Sequence, residues 1–287
     1  MPHEINIAVS SLAFAGKKPE DIIGIAAKEN YTLEFSSGMP YMKDMEDIFL
    51  NASVKKLPHN YFPAPEQPFV LNLASTNDEI RNRSVKHCIN GLRLASAASS
   101  PFFSAHAGFC VDPNPSELGR QLKQHSGIDK NKNWKLFIEG LKEVSMEAEK
   151  YKTGFLIENN VIAPMNVYPD GTNPLFCCDA DEMVKMINEI SNPRLGILLD
   201  TGHIKVSSNT MKFSWADALK KIRPFVKCIH HSDNDGIFDT NQPITEQYWF
   251  WDYIRDFSDI YHVLEVKNQT TDQVNNQLEL IRKNILK

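Results

Sequence analysis

The sequence predicts an α/β protein in which eight parallel strands close into a single (β/α)8 TIM barrel. Short apolar runs alternate with helical segments along the whole chain, as in parallel-sheet proteins. The length of 287 residues suits one such barrel, which typically needs about 250 residues. No shift in composition marks a domain boundary, so we expect residues 1–287 to form one domain.

The strands are predicted from short apolar runs that are bounded by polar or turn residues. In chain order they cover residues 5–9, 31–35, a segment within 53–60, 102–106, 154–158, 195–200, 226–230 and 261–265. The proline-rich stretch 63–65 after the third run is predicted to be a loop, because proline cannot continue a strand ladder or a helix there.

The helices are predicted from helical spacing and from acidic or proline-containing first turns, which suit the positive end of a helix. They cover residues 18–27, 77–98, 134–150, 179–190, 214–222 and 271–286. Residues 108–132 form a long polar loop between the fourth strand and the next helix, and loops of this length often carry function.

The hydrophobic content of 42% and the charged content of 23% are ordinary for a soluble globular protein. A formal net charge of -5 gives no general attraction to nucleic acid, which disfavours a nucleic-acid partner. Five cysteines without a spaced framework indicate a reduced, cytoplasmic protein. No run reaches the roughly 18 apolar residues that a membrane span needs. The sequence leaves a homo-oligomer open.

Four of the predicted strands end in side chains that can bind a metal, namely Glu158, Asp200, His230 and Glu265. In a parallel barrel the C-terminal strand ends converge on the face that carries the active site. Buried charges at this place are costly unless a cation or strong hydrogen bonds compensate them. One such acid could simply cap a helix or pair with a lysine, but four in order predict a divalent metal site. The mixed imidazole and carboxylate set suits Mn, Zn, Co or Mg.

Further imidazoles lie close to the predicted strand ends. His59, His106 and His203 follow or end the third, fourth and sixth strands. His230 and His231 are adjacent, and alternation alone does not decide between them. The other histidines fit structural roles, and these are His3, His87, His125 and His262.

Seven short segments, taken in order, resemble the superfamily of xylose isomerase-like barrels, which includes endonuclease IV and many sugar isomerases and epimerases. The segments are His59-Asn60-Tyr61, Asn72-Leu73-Ala74-Ser75, His106-Ala107-Gly108, Glu158-Asn159-Asn160, Asp200-Thr201-Gly202-His203, residues 230–236 and Leu264-Glu265-Val266-Lys267. The resemblance covers nearly the whole chain. Its His-x-x-Asp spacing points to His230 rather than His231 as the metal ligand.

The resemblance implies a metal-dependent sugar or sugar-phosphate isomerase or epimerase of carbohydrate metabolism. In that group one metal is held by the residues equivalent to Glu158, Asp200, His230 and Glu265. Glu158 and Glu265 would also be the catalytic pair that moves a proton next to the substrate carbonyl. Substrate contacts are expected from His203, Asp233, Asn234 and Lys267.

Two alternatives belong to other classes of function. An endonuclease IV-like repair enzyme would use His59 and His106 with Glu158 on a second metal. Its third zinc would need His203, Asp239 and a later histidine, but this chain has Asn241, a poor zinc ligand. That departure and the acidic net charge count against cleavage of DNA. The other alternative is a barrel that binds a sugar or a metal without catalysis.

Overall fold

Eight parallel strands form a nearly closed barrel in the computed structural model, which describes residues 5–36, 38–125 and 127–287. The strands are β1 (Asn6–Ser10), β2 (Thr32–Phe35), β3 (Lys56–Pro58), β4 (Phe102–His106), β5 (Gly154–Glu158), β6 (Leu195–Asp200), β7 (Val226–His231) and β8 (Tyr261–Leu264). The predicted fold class is confirmed, and every predicted strand is present.

The barrel closes between its third and fourth strands. Hydrogen-bonded neighbours follow the order β3-β2-β1-β8-β7-β6-β5-β4, which leaves β3 and β4 at the two edges. A parallel bridge joins His59, just beyond β3, to Ser104 of β4. The Asn60 amide also donates to the Ser104 carbonyl at 2.6 Å. The closure therefore lies at the C-terminal mouth of the barrel, beside the predicted site.

The helices pack around the strands and differ from the prediction in three places. They are α1 (Pro19–Glu29), α2 (Met45–Asn51), α3 (Asp78–Ala97), α4 (Lys130–Tyr151), α5 (Ala180–Ile190), α6 (Thr201–Met211), α7 (Trp215–Ile222) and α8 (Thr271–Leu286). The helices α2 and α6 were absent from the prediction. Helix α4 begins earlier than predicted because the Asp129 side chain accepts a hydrogen bond from the Lys132 amide and caps it.

The barrel interior is built as a polar layer above an apolar one. The apolar layer consists of Ala8, Leu57, Phe102, Leu156, Leu198, Cys228 and Val263. Two residues further along each strand, on the same face, stand Ser10, His59, Ser104, Glu158, Asp200, His230 and Glu265. The larger apolar core lies between the barrel and the helices. The predicted site therefore lies directly above a packed apolar layer.

Two further observations bear on the class of protein. All five cysteines are free and buried, as expected for a chain without a disulfide framework. No helix in the described part of the chain is long and apolar enough to cross a membrane.

Close packing of α3 on β4 predicts a sharp difference between two helical glycines. A Cβ atom at Gly91 would lie 2.4 Å from Cε2 of the buried Phe103 ring, whereas one at Gly24 would meet nothing within 4 Å. We expect Gly91→Ala to lower the free energy of unfolding by about 1–3 kcal/mol. Gly24→Ala, the matched control in α1, should raise it by about 0.5–1 kcal/mol. Urea denaturation measures both, and a Gly91→Ala protein as stable as the control would contradict this packing.

Candidate metal centre

The four predicted metal ligands lie together at the C-terminal end of the barrel. One ligand atom from each of Glu158, Asp200, His230 and Glu265 lies within 4.8 Å of the others. None of the four side chains is more than slightly exposed, since Glu265 is 9% exposed and the others 1% or less. The alternation of strand residues places them on the inner face, directly above the apolar layer. Their role as ligands stays a prediction.

Four imidazoles surround the carboxylate of Glu158. Its Oε2 lies 3.4 Å from Nε2 of His59 and 3.5 Å from Nε2 of His106. Its Oε1 lies 3.5 Å from Nδ1 of His230 and 3.6 Å from Nδ1 of His203. Burial alone would raise the pKa of Glu158, but the imidazoles outweigh burial and hold that pKa well below its ordinary value. Glu158 is therefore ionised, and its Oε2 accepts no hydrogen bond from the described residues.

Asp200 ends β6 and caps α6 at the same time. Its Oδ1 accepts a hydrogen bond from the His203 amide at 2.7 Å, while Oδ2 is buried without a hydrogen-bond partner in the described chain. Asn159, directly after β5, holds the Asp200 backbone: its side-chain Oδ1 accepts a hydrogen bond from the Asp200 amide, and its Nδ2 donates one to the Asp200 carbonyl. Burial and the nearby carboxylates of Glu265 and Glu158 raise the pKa of Asp200 well above its ordinary value. A cation here would relieve that repulsion.

His230 lies between two carboxylates. Its Nε2 is 2.9 Å from Oε2 of Glu34, and its Nδ1 is 3.1 Å from Oε2 of Glu265. Burial disfavours the charged imidazole, but Glu34 and Glu265 outweigh it and raise the pKa of His230 well above its ordinary value. His231 points to the other side of β7, where its ring stacks on His262 with the centroids 5.2 Å apart. The structure thus brings His230, and not His231, into the cluster.

The imidazoles proposed for a second metal adjoin Glu158. Nδ1 of His59 is 2.9 Å from the Ser104 hydroxyl, which leaves its Nε2 facing Glu158. Burial lowers the pKa of His59 to about 3 and also lowers that of His106. Both are therefore neutral at physiological pH, the form in which imidazole binds a metal. His59, His106 and Glu158 form a second group that could hold an ion.

Two of the residues that would build a third metal site, His203 and Asp239, form an ion pair. Nε2 of His203 lies 3.3 Å from Oδ2 of Asp239, and its Nδ1 lies 2.8 Å from the Asn159 carbonyl. Burial opposes the charge on His203, but Asp200 and Asp239 outweigh it and raise its pKa well above the ordinary value. Asn241 is buried, and its backbone carbonyl accepts a hydrogen bond from the Lys267 backbone amide.

A cavity of about 370 Å³ opens onto this cluster at the barrel mouth. Its charged lining residues in the described chain are Arg120, Glu158, Asp239, Glu265 and Lys267, and His106 and His203 also line it. Apolar side chains such as those of Phe109, Leu118 and Phe238 form much of the remaining wall. A larger cavity of about 760 Å³ lies at the opposite ends of the strands and contains none of the predicted site residues. We assign the chemistry to the smaller cavity because it contains the acids.

Two predicted substrate contacts lie outside the cavity lining. The Asp233 carboxylate accepts a hydrogen bond from Nζ of Lys205 at 2.6 Å. The Asn234 side chain donates to the Gly202 carbonyl at 2.9 Å, behind the start of α6. Both side chains brace the loop after β7, and their contact with a substrate stays a prediction. His203 and Lys267, by contrast, do line the cavity.

The structure adds a carboxylate that the sequence analysis did not single out. Glu34 on β2 is fully buried and belongs to the same polar layer as the predicted ligands. It forms a group with His59 and His230 whose ligand atoms lie within 4.8 Å of one another. The available signal was a single acid in a short, mostly apolar run, one residue before the end of the strand.

Two of the histidines expected to be structural make hydrogen bonds away from the cluster. Nε2 of His87 is 2.8 Å from the Asn60 carbonyl, and Nε2 of His262 is 3.1 Å from the Phe257 carbonyl. His125 is exposed, and His3 lies outside the described residues.

The chain belongs to the xylose isomerase-like TIM barrel family, whose sequence pattern matches residues 43–283. Two curated proteins are similar over part of the chain. A probable endonuclease 4 of Carboxydothermus hydrogenoformans is 27% identical over 137 residues, which are 48% of this chain and 39% of that protein. A probable endonuclease 4 of Aquifex aeolicus is 26% identical over 164 residues, 57% of this chain and 50% of that protein. The chain thus spans half or less of the length of these relatives.

Solved structures share the fold over nearly the whole chain at low sequence identity. A D-tagatose 3-epimerase-like protein superposes with a TM-score of 0.73 at 17% identity, covering 98% of this chain and 97% of that one. D-psicose 3-epimerase from Clostridium cellulolyticum, solved with D-tagatose, gives 0.70 at 14% identity, covering 98% and 99%. A Thermus thermophilus protein soaked with ZnCl2 gives 0.65 at 16% identity, covering 97% and 99%.

His262 is buried in its neutral form, so we expect the protein to lose stability in acid. A substitution of His262 should reduce that loss. Burial lowers the pKa of His262 from 6.5 to about 4. As the pH falls from about 6.5 to about 4, the unfolded chain takes up a proton that the folded protein refuses, so stability is lost across that window. The loss attributable to His262 is about 3 kcal/mol.

We expect His262→Gln to lose less stability over this window than the parent protein, whatever its stability at neutral pH. Urea denaturation at several pH values, in the presence of a chelator, measures the slope. His125→Gln, at an exposed histidine, is the matched control. Equal slopes in His262→Gln and the parent protein would show that His262 is not held neutral.

Proposed function

We propose that this chain is a divalent-metal-dependent sugar or sugar-phosphate isomerase or epimerase that moves a proton next to a carbonyl group. The observation that carries the proposal is the placement of two glutamates. Glu158 and Glu265 belong to the four-residue cluster and also line the mouth cavity. Two carboxylates beside one small-molecule cavity provide both an acceptor and a donor for a proton.

The chemistry of the cluster fits a divalent cation. The buried oxygens Oε2 of Glu158 and Oδ2 of Asp200 accept no hydrogen bond from described residues, and burying a carboxylate oxygen without a partner is costly. Glu158, Asp200, His230 and Glu265 would hold the ion, and their oxygen and nitrogen donors suit Mn, Zn, Co or Mg. When bound, the ion supplies positive charge that stabilises negative charge developing on the substrate oxygens.

The protein residues would then divide the remaining work. One of Glu158 and Glu265 removes the proton beside the carbonyl, and the other returns it. His203, a cation that lines the cavity, would orient a substrate hydroxyl or carbonyl. Arg120 and Lys267 line the cavity and could contact a phosphate. The ketose epimerases among the similar folds support a keto sugar as the substrate class.

An endonuclease IV-like activity is the second candidate. The curated relatives and the group of His59, His106 and Glu158 favour it. Against it stand the net charge of -5 and a cavity whose described cationic Lys and Arg residues are Arg120 and Lys267 alone. Asn241, which stands where a third zinc would need a histidine, also disfavours a third zinc. A non-catalytic sugar- or metal-binding barrel would show no turnover with either substrate.

We also propose that residues 1–287 act as one domain, because the strands of the barrel extend from Asn6 to Leu264 and α8 packs behind them. A cytoplasmic location and a homo-oligomer stay predictions. A screen of ketoses and their phosphates beside a DNA duplex with an abasic site separates the three functions. Turnover of the DNA alone would overturn the proposed one.

Metal content is the first prediction of the proposal. We expect one or two divalent ions per chain after metal loading, the second beside His59 and His106. Their removal by a chelator should lower the melting temperature, because the ion compensates buried carboxylates. Elemental analysis and thermal denaturation of the same samples measure both effects. Three tightly held zinc ions would contradict the expectation that Asn241 disfavours a third zinc site.

The catalytic pair gives the second prediction. Glu158→Gln and Glu265→Gln keep the side-chain volume but remove the proton acceptor, so turnover should fall by about 10² to 10⁴. Glu246→Gln, at an exposed glutamate paired with Lys283, is the matched control and should retain activity.

Metal content must be measured in every sample, because both glutamates are also proposed ligands. Turnover in deuterated water should place deuterium on the carbon next to the carbonyl if a glutamate exchanges its proton with solvent. Full activity in a metal-replete Glu158→Gln or Glu265→Gln protein would refute the proposed mechanism.

A further inference from the structure

Glu34 is a buried carboxylate whose hydrogen bonding is directed at one partner. Its side chain is 0% exposed, and its Oε2 lies 2.9 Å from Nε2 of His230. Its Oε1 is also buried and has no hydrogen-bond partner among the described residues. A buried acid is costly unless it is paired and hydrogen-bonded, and His230 is the partner of Glu34. The proposed proton transfer assigns Glu34 no part.

The geometry points to Glu34 as a positioning residue that orients His230 toward the metal centre. This inference rests on the proposed function, because it presupposes that His230 binds a metal. Glu34 would accept a hydrogen bond from Nε2–H and so keep the lone pair of Nδ1 directed at the other ligands.

The two nitrogens of His230 face different surroundings. Nδ1 lies 3.1 Å from Glu265, 3.5 Å from Glu158 and 4.0 Å from Asp200. Nε2 faces Glu34 instead. A neutral imidazole carries one N–H and one lone pair, and a carboxylate can only accept a hydrogen bond. With an ion among Glu158, Glu265 and Asp200, Nδ1 would give its lone pair to that ion, and Glu34 would accept a hydrogen bond from the Nε2–H of the neutral ring.

The alternative that Glu34 is itself a ligand fits the distances less well. Glu34, His59 and His230 do form a group with the residue types of a metal site. Ligand atoms about 2 Å from one zinc at tetrahedral angles lie more than about 3 Å apart. The 2.9 Å between Glu34 and His230 is instead the length of a direct hydrogen bond. It also matches the carboxylate–histidine–metal arrangement common in metalloproteins.

The test compares metal affinity and the His230 tautomer in Glu34→Ala, Glu34→Gln and the parent protein. Zinc affinity is measured by competition with a chromophoric chelator. We expect Glu34→Ala to bind zinc about 10 to 100-fold more weakly, as is usual when such a partner is lost. Glu34→Gln keeps the volume and removes the negative charge, so it should also bind less tightly, by about tenfold. Should Glu34→Ala fail to fold, Glu34→Gln carries the comparison.

Nuclear magnetic resonance of ¹⁵N-histidine reads the tautomer directly and does not depend on activity. In the zinc-loaded parent protein, His230 should carry its proton on Nε2 and bind through Nδ1. In Glu34→Ala the Nε2 proton should exchange faster with solvent, because its acceptor is gone. Tyr31 lies just before β2, and its hydroxyl donates a hydrogen bond to Asn275. Tyr31→Phe removes that hydroxyl and is the matched control. It should behave as the parent protein in both measurements.

The outcomes separate the inference from the proposed function. A parent protein that binds no divalent metal overturns both. Zinc binding by the parent protein with equal affinity in both Glu34 variants overturns the inference alone. Coordination of His230 through Nε2 in the parent protein does the same. Weaker binding in both variants, with the tautomer as stated, supports the inference.

Discussion

Desolvation of carboxylates at one end of the barrel is the constraint on which the rest of the site depends. Glu158 is ionised although almost completely buried, and the imidazoles of four other elements surround it. Asp200, Glu34 and Glu265 add further acids to the same small volume. Each buried acid is costly unless a proton, an imidazolium or a metal ion compensates its charge. The opposite directions of the Glu158 and Asp200 pKa shifts reflect this unequal compensation.

The apolar layer beneath the acids explains why they can be assembled there. Leu156, Leu198 and Val263 fill the barrel interior below Glu158, Asp200 and Glu265. Packing of this apolar layer therefore stabilises the barrel, and the polar layer above it does not need to contribute to stability. Loops cover the mouth of the barrel above the polar layer. In this chain those loops contribute Arg120, Leu118 and Phe238 to the cavity wall.

Much of the fold and the central cluster could be predicted from sequence, because the alternation of strand residues and the positions of the strand ends point to the same side chains. The predicted strands that end at Glu158, Asp200 and Glu265 have a period of two, so the strand end and the inward face are both fixed at each predicted ligand. Glu34 escaped because Leu33 and Phe35, its neighbours, are both apolar and buried. In such a strand the pattern of hydrophobicity does not reveal which face turns inward.

Other differences arise where tertiary contacts outweigh local preference. Helix α6 begins with Thr201 and Gly202, which are weak helix formers, and it is held by the Asp200 cap and by buried packing. Asp233 and Asn234 follow the strand end closely, but their hydrogen bonds turn them toward Lys205 and Gly202. Proximity in sequence to a ligand does not determine which way a loop side chain points.

The direct passage from β6 to α6 has a consequence for how such barrels diverge. Asp200 is the last strand residue and Thr201 the first helical one, so no loop residue separates them. An insertion there would move either the Asp200 carboxylate or the helix that it caps. The long connection between β4 and α4, by contrast, can change in length without displacing a ligand. New specificities should therefore accumulate at the β4–α4 rim of the mouth, while the β6–α6 junction keeps its length.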